Sequence, residues 1–246
     1  MIVVVPVDPP WEGLILPSLV ETTPVTESEA SLLYRAATAD VLRAADASGG
    51  ELLVNYRGKG TLPDGVTDGD PENAVRDLAE DALESLDDVR FERQVGSTHS
   101  ARIGNTVTHL LEREEVGTVG VLEPTVPLVG RSDVDSAAMA LRRYDVVLGP
   151  SSGGRVSFVG LTDTVDFADA YATPALSTLA SRTEAAGLNL GFAPVIPSVA
   201  TESGLCATLA TLEAREVADR PGGEATAAAL AEIEFAVGED GRLERE

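Results

Sequence analysis

Six consecutive residues near the start of the chain, Ile2 to Val7 (IVVVPV), leave no polar position to face water on either side. A run this short and this apolar suits a strand at the centre of a parallel sheet, where both faces are covered. Similar runs follow at Glu51 to Tyr56, Val89 to Val95, Thr118 to Leu122, Asp145 to Leu148, Val156 to Leu161 and Leu190 to Ile196. Between them lie segments of helical character: Thr26 to about Ala47, Asn73 to Leu86, Thr98 to Glu115, Ser132 to Arg143, Pro174 to near Gly187, and Thr201 or Glu202 to about Ala218. In the first of these, Leu32, Leu33, Ala36, Ala39 and Leu42 or Val41 recur at helical spacing, Thr26 offers a cap with early acids, and Gly49-Gly50 stops the helix. Farther on, Thr173 is the expected cap of a helix that Pro174 opens at its first position. Strands alternating with helices imply successive βαβ units. The expected fold class is therefore α/β: three layers, with a mainly parallel central sheet and helices on both faces.

The connections are as informative as the elements. Pro6, Pro9, Pro10 and Pro17 punctuate a loop to about Thr26, and a Gly, Pro and Asp loop fills Gly58 to Pro71. Asp145 to Leu161 (DVVLGPSSGGRVSFVGL) reads as strand, tight turn and strand, and Gly153 and Gly154 let the backbone pass close to a neighbour. An acidic loop, Asp163 to Asp169, follows it. The break at Pro221-Gly222-Gly223 divides one α/β domain, residues 1–218, from a tail, 219–246, with a short helix and a candidate strand from Ile233 to Val237. The tail either docks on the domain or mediates association, and homo-oligomers are compatible with the sequence.

Charge narrows the function classes. The chain carries 41 acids against 18 bases, a net charge of −23, and Lys59 is its only lysine. Such a surface repels phosphate backbones and anionic membranes, so no nucleic-acid partner is expected. Acid excess with almost no lysine resembles the proteins of salt-adapted archaea, in which carboxylates keep the surface solvated. The start of the chain lacks a signal-peptide pattern, and no apolar stretch approaches the ~20 residues of a membrane span. A cytoplasmic location is expected. Cys206, the sole cysteine, reads as a buried inert thiol.

Common catalytic motifs are missing. There is no G-x-x-x-x-G-K-[ST], no G-x-G-x-x-G after the first strand and no G-x-S-x-G. His99 and His109 sit ten residues apart on one expected helix, without metal-ligand spacing, and each reads as a surface or helix-packing residue.

Element order, length and local patterns from about Ile2 to Arg215 resemble the GT-A-type nucleotide-diphospho-sugar transferases. The nearer resemblance is to the small glycosyltransferase-like proteins called DUF2064; a more distant one is to the 2-phospho-lactate guanylyltransferases. The family's G-P-x-x-D-G-G-Y-Y-L-I-G-L is similar to Gly149-Pro150 through Gly160-Leu161, with Gly153 in the acid's place. Its Q-G-x-G-D-L-G-x-R-M resembles Gln94 to Ile103, keeping Gln94 and Arg102 with Thr98 at the acid. Its D-V-D-T resembles Ser198-Val199-Ala200-Thr201, with both acids gone. The S-D-x-P after the fourth strand resembles Glu123 to Pro127, where Glu123 supplies a carboxylate or Thr125 stands where the acid was. The basic K-T-R-L near the start is replaced by Gly13-Leu14-Ile15-Leu16.

The resemblance implies a nucleotide-linked small molecule held outside the carboxyl ends of the strands, with Mg²⁺ or Mn²⁺ if the protein is active. On an active reading, Glu123, with Asp163 or Asp166, is the metal-capable acid. Arg102 and Arg155 then meet phosphate beside Gly153 and Gly154, and the transfer is glycosyl or nucleotidyl. On the second reading, loss of the acids leaves a catalytically silent relative that keeps the scaffold for binding or assembly.

Overall fold

The computed structural model describes residues 1–63, 65–66 and 69–245. Part of the expected loop from Gly58 to Pro71 (residues 64, 67 and 68) and the last residue of the tail lie outside the described residues. The order of elements is β1 (Ile2–Val7), α1 (Pro17–Thr22), α2 (Glu27–Asp46), β2 (Glu51–Tyr56), α3 (Pro71–Ala82), β3 (Arg90–Arg93), α4 (His99–Thr108), β4 (Val119–Leu122), α5 (Arg131–Ala140), β5 (Val146–Pro150), β6 (Val156–Leu161), α6 (Ala175–Ala185), β7 (Leu190–Phe192), α7 (Glu202–Val217), α8 (Glu224–Ile233), β8 (Phe235–Val237) and β9 (Leu243–Arg245).

Seven strands form the central sheet in the order β3-β2-β1-β4-β6-β5-β7. All neighbours run parallel except at β6, which is antiparallel to β4 on one side and to β5 on the other. The apolar run Ile2–Val7 is buried at every position, as its composition requires. Its period of two divides the core: Val3, Val5 and Val7 join one layer with Leu33, Val41, Leu78 and Leu205. Ile2 and Val4 join the other with Ile103, Val107, Leu110 and Leu179. Helices α2, α3, α5, α7 and α8 therefore cover one face of the sheet, and α4 and α6 the other.

Local chemistry explains where boundaries depart from the sequence-based expectation. The prolines after β1 do not produce an unbroken loop: Leu16 adopts a left-handed backbone (φ 51°), and Pro17, pre-set for a helix start, opens α1. Asp70 accepts a hydrogen bond from the Glu72 amide, so α3 begins at Pro71, earlier than expected. Thr173 does not cap α6; Pro174 occupies the cap position and the helix starts at Ala175. Helix α4 ends at Thr108, and one π-helical turn, His109–Arg113, finishes the segment. The run after Leu190 is regular strand only as far as Phe192; around Pro194, the amides of Ala193 and Ile196 still donate to the Leu148 and Pro150 carbonyls.

Past the Pro221–Gly223 break, the tail packs on the same layer: Leu230, Ile233, Phe235 and Leu243 are buried with α2 and α7. The first turn of α8 has no side-chain cap of its own. Instead the buried Asp40 carboxylate of α2 accepts from the amides of Ala225 (3.1 Å) and Thr226 (2.8 Å) and from the Thr226 hydroxyl (2.7 Å). Among the described residues no helix is long and apolar enough to cross a membrane.

Candidate functional site

Parallel strands β1, β2, β3 and β4 end on the same edge of the sheet, and the chain leaving each supplies a polar residue there. The hairpin of β5 and antiparallel β6 has its turn on this edge as well, because Val119 pairs with Leu161 while Leu122 pairs with Phe158. A cleft of about 260 Å³ opens here, with Asp8, Gln94, His99, Glu123, Thr125 and Arg155 on its walls. A wider groove of about 470 Å³ lies between α7 and α8. Its walls mix Leu, Ala and Phe235 with three glutamates and two arginines, and it lacks the strand-end position at which ligands of α/β sheets sit, so position rather than size singles out the cleft.

Each wall residue is held by its own element. Asp8 follows β1; its amide donates to the Tyr34 hydroxyl (2.9 Å) and its carboxylate pairs with Arg57 at 3.2 Å. Burial pushes the Tyr34 phenol well above its ordinary range, with the Asp8 charge adding to the shift. Gln94 follows β3, donates to the Asn55 carbonyl (2.6 Å) and accepts from Arg102 Nε (2.6 Å). Thr98 caps α4 by accepting from the Ala101 amide (3.1 Å), which brings His99, one residue on, to the rim. Glu123 follows β4 and its amide donates to the Ser157 carbonyl (2.9 Å).

Arg102 is 5% exposed and sits one layer behind Gln94, beneath the cleft rather than on its wall. Burial draws its pKa below the usual guanidinium value; Asp8 opposes this and Arg57 reinforces it. Arg155 lies on the wall, delivered by the turn Ser152–Gly154. Gly153 and Gly154 both take left-handed backbones (φ 67° and 72°), which reverse the chain from β5 into β6. Neither lines the cleft. The structure thus brings Glu123 and Arg155 together, places Arg102 close behind, and gives the two glycines a turn that presents Arg155.

Asp163 and Asp166 are elsewhere. Because β6 runs antiparallel, its end at Leu161 starts the acidic loop at the opposite edge of the sheet; the loop then returns along α4, where Asp166 pairs with Arg182 at 2.7 Å and lines a separate groove with Thr98 and Ala101. Two of the acid positions implied by the family resemblance meet as hydroxyls: Thr125, the alternative to Glu123 after β4, and Ser198 are hydrogen-bonded at 2.8 Å, and a third, Ala200, lies on the cleft wall. Where that resemblance implies basic residues, Leu14, Ile15 and Leu16 form a buried apolar wall.

A Mg²⁺ or Mn²⁺ ion held by protein needs several oxygen ligands, at least some of them charged. No group of three or more His, Cys, Asp or Glu side chains placed to hold a metal ion exists among the described residues. Glu123 faces His99, Asp8 is neutralised by Arg57, and Thr125 and Ser198 satisfy each other. The described residues offer no all-protein cage for a divalent ion, and the two carboxylates on the wall, Asp8 and Glu123, already face Arg57 and His99.

His99 is the wall residue that sequence spacing passed over. Its Nε2 stands 3.7 Å from Glu123 Oε1, and its ring meets Tyr171 edge-on with centroids 5.0 Å apart. No local signal reveals this, since Glu123 comes from a different strand and Tyr171 from the loop after β6.

No protein-family model and no curated protein matches the sequence. Among solved structures, the chain is similar to a candidate nucleotide-diphospho-sugar transferase from Desulfovibrio desulfuricans G20, with TM-score 0.72, 19% identity and 94% of each chain covered. Weaker likenesses include 4-diphosphocytidyl-2C-methyl-D-erythritol synthase from Anaerococcus prevotii DSM 20548 (TM-score 0.49, 11% identity, 87% of this chain and 98% of that one). Another is CMP:2-keto-3-deoxy-manno-octonic acid synthetase complexed with CTP (TM-score 0.48, 13% identity, with the same 87% and 98% covered). At these identities the likeness concerns architecture: the chain has a nucleotide-diphospho-sugar transferase-like fold, seven strands mostly parallel with helices on both faces.

Proposed function

We propose that this chain is a divergent glycosyltransferase-like protein that binds a nucleotide-linked small molecule in the cleft at the strand ends and lacks metal-dependent transfer. The observation that carries this reading is the Thr125–Ser198 hydroxyl pair at 2.8 Å, standing where the resemblance to the small DUF2064 proteins implies cation-holding carboxylates. A neutral pair cannot offset a hard cation's charge or help to neutralise a diphosphate leaving group. Binding without transfer still has its cations: Arg155 on the wall, presented by the Gly153–Gly154 turn, and Arg102 behind Gln94, while Arg57 is paired with Asp8. Arg102 makes no ion pair among the described residues, and a buried guanidinium in that state favours an anion within reach.

A second reading has one observation of its own. Glu123 Oε1 is shielded from solvent and has no hydrogen-bond partner, so it is free to act on a ligand in an active glycosyl- or nucleotidyltransferase. Calorimetric titration with UDP, GDP and CTP in concentrated salt, with and without Mn²⁺, tests the proposal. It predicts binding that is independent of Mn²⁺ and weakened by Arg155→Ala, with no turnover of nucleotide sugars. Binding that requires Mn²⁺, or turnover lost in Glu123→Ala, would establish the second reading instead; absence of binding to any nucleotide would defeat both.

A further inference from the structure

Two residues flanking His99, Glu123 on the cleft wall and Tyr171 outside its lining, each carry a buried polar atom without a partner, and the two atoms differ in character. Glu123 Oε1 can only accept a hydrogen bond; Tyr171 Oη can donate one. Burial pushes the Tyr171 phenol well above its ordinary pKa and the Glu123 charge adds to this, so the phenol keeps its proton. Between these two side chains stands His99, packed edge-on against Tyr171 and 3.7 Å from Glu123 Oε1. That separation is too long for a hydrogen bond. Native proteins rarely leave buried polar atoms unmatched, and a ligand or water that satisfies them is the usual explanation.

The chemistry of the missing partner follows from what surrounds the gap. A phosphate oxygen would meet a carboxylate and be repelled. An ammonium would satisfy Glu123 but, with the imidazole proton on Nε2, could accept nothing from it. A hydroxyl does both, donating to Glu123 Oε1 and accepting from His99 Nε2–H. Placed at ~2.8 Å from each atom, it subtends an angle of roughly 80° at its oxygen, acceptable for a group using one proton and one lone pair. Across the cleft, Leu14, Ile15 and Leu16 offer an apolar wall, matching the C–H face that a sugar carries beside its hydroxyls.

We propose that Glu123 and His99 form a subsite for a hydroxyl of the sugar or polyol part of the ligand, with Glu123 as acceptor and His99 as donor. This rests on the reading of the cleft as a site for a nucleotide-linked molecule and makes Glu123 a sugar contact rather than a metal ligand. The ribose of the nucleotide is the other source of a hydroxyl.

The experiment titrates UDP, 2′-deoxy-UDP, UDP-glucose and free glucose into the full chain, followed by calorimetry and by the imidazole nitrogen resonances. The protein has only two histidines, and His109→Gln identifies the His99 signals. The expected result is UDP-glucose binding at least tenfold more tightly than UDP, moving the His99 signals, with the advantage abolished by Glu123→Ala and partly kept by Glu123→Gln. Should Glu123→Ala fail to fold, His99→Ala carries the same test. A penalty for 2′-deoxy-UDP that disappears in the variants would assign the hydroxyl to ribose and keep the subsite. Equal binding of UDP and UDP-glucose with no deoxy penalty, or an advantage that survives both variants, overturns the proposal while the nucleotide reading stands. Glucose moving the His99 signals while UDP fails to bind would keep the subsite and overturn that reading; silence from every probe removes both.

Discussion

Replacing Asp40 by alanine is expected to release the C-terminal segment. The side chain of Asp40 is 3% exposed and receives two α8 amides and the Thr226 hydroxyl, with Arg43 at 3.3 Å. Alanine leaves those three donors in a site that water does not reach. Each unsatisfied buried donor costs about 1–3 kcal/mol, and the lost cap is part of that cost rather than an addition to it. Some relief comes from α8 shifting outward, so the expected loss is about 3–4 kcal/mol, a large share of a typical domain's 5–15 kcal/mol. Asp40→Asn keeps one acceptor oxygen and the shape, and is expected to lose about half as much. Urea unfolding measures the global effect. Hydrogen exchange across Glu224–Ile233 distinguishes global loss from local undocking. A loss below about 1 kcal/mol, with exchange in α8 unchanged, would refute the account of how the tail is held.

Two further perturbations test the scaffold. Gly204 lies in the first turn of α7, and a Cβ there would stand 2.0 Å from the Ser198 carbonyl oxygen, so Gly204→Ala is expected to cost about 2–3 kcal/mol in urea unfolding and to displace Ser198 from Thr125. The Arg245 guanidinium holds the Glu29 carboxyl down at about 2 from its ordinary 4.5, so the stabilisation is complete above pH 4.5 and fades as pH falls towards 2. The difference in melting temperature between the wild type and Arg245→Ala is therefore expected to shrink over that window, and a difference that is constant with pH would contradict it.

The parts of this molecule that sequence reveals are those governed by local chemistry. Ile2–Val7 has no polar position, so its place inside a covered sheet follows from composition, and the Thr26–Glu29 cap marks the start of α2 correctly. The hairpin from Asp145 to Leu161 is legible from Gly153-Gly154, but its consequence is not. Insertion of β6 antiparallel between β4 and β5 depends on pairings across the sheet, and that insertion starts the acidic loop at the far edge and keeps Asp163 and Asp166 off the cleft walls. Helix α1, six residues long, has too little periodicity to register, although Pro17 marks its first turn. In the site, strand ends and the family resemblance bring Glu123 and Arg155 to one cleft, while His99 depends on partners 24 and 72 positions away in sequence. The pairing of Thr125 with Ser198 spans 73 positions and has the same character.

The central claim is that the cleft at the strand ends takes a nucleotide-linked ligand, and hydrogen exchange with and without UDP-glucose in concentrated salt tests it most directly. The account predicts protection in three segments that meet only in this fold: 94–99, 123–125 and 151–155. Protection confined to the α7–α8 groove, or none at saturating ligand, would contradict it.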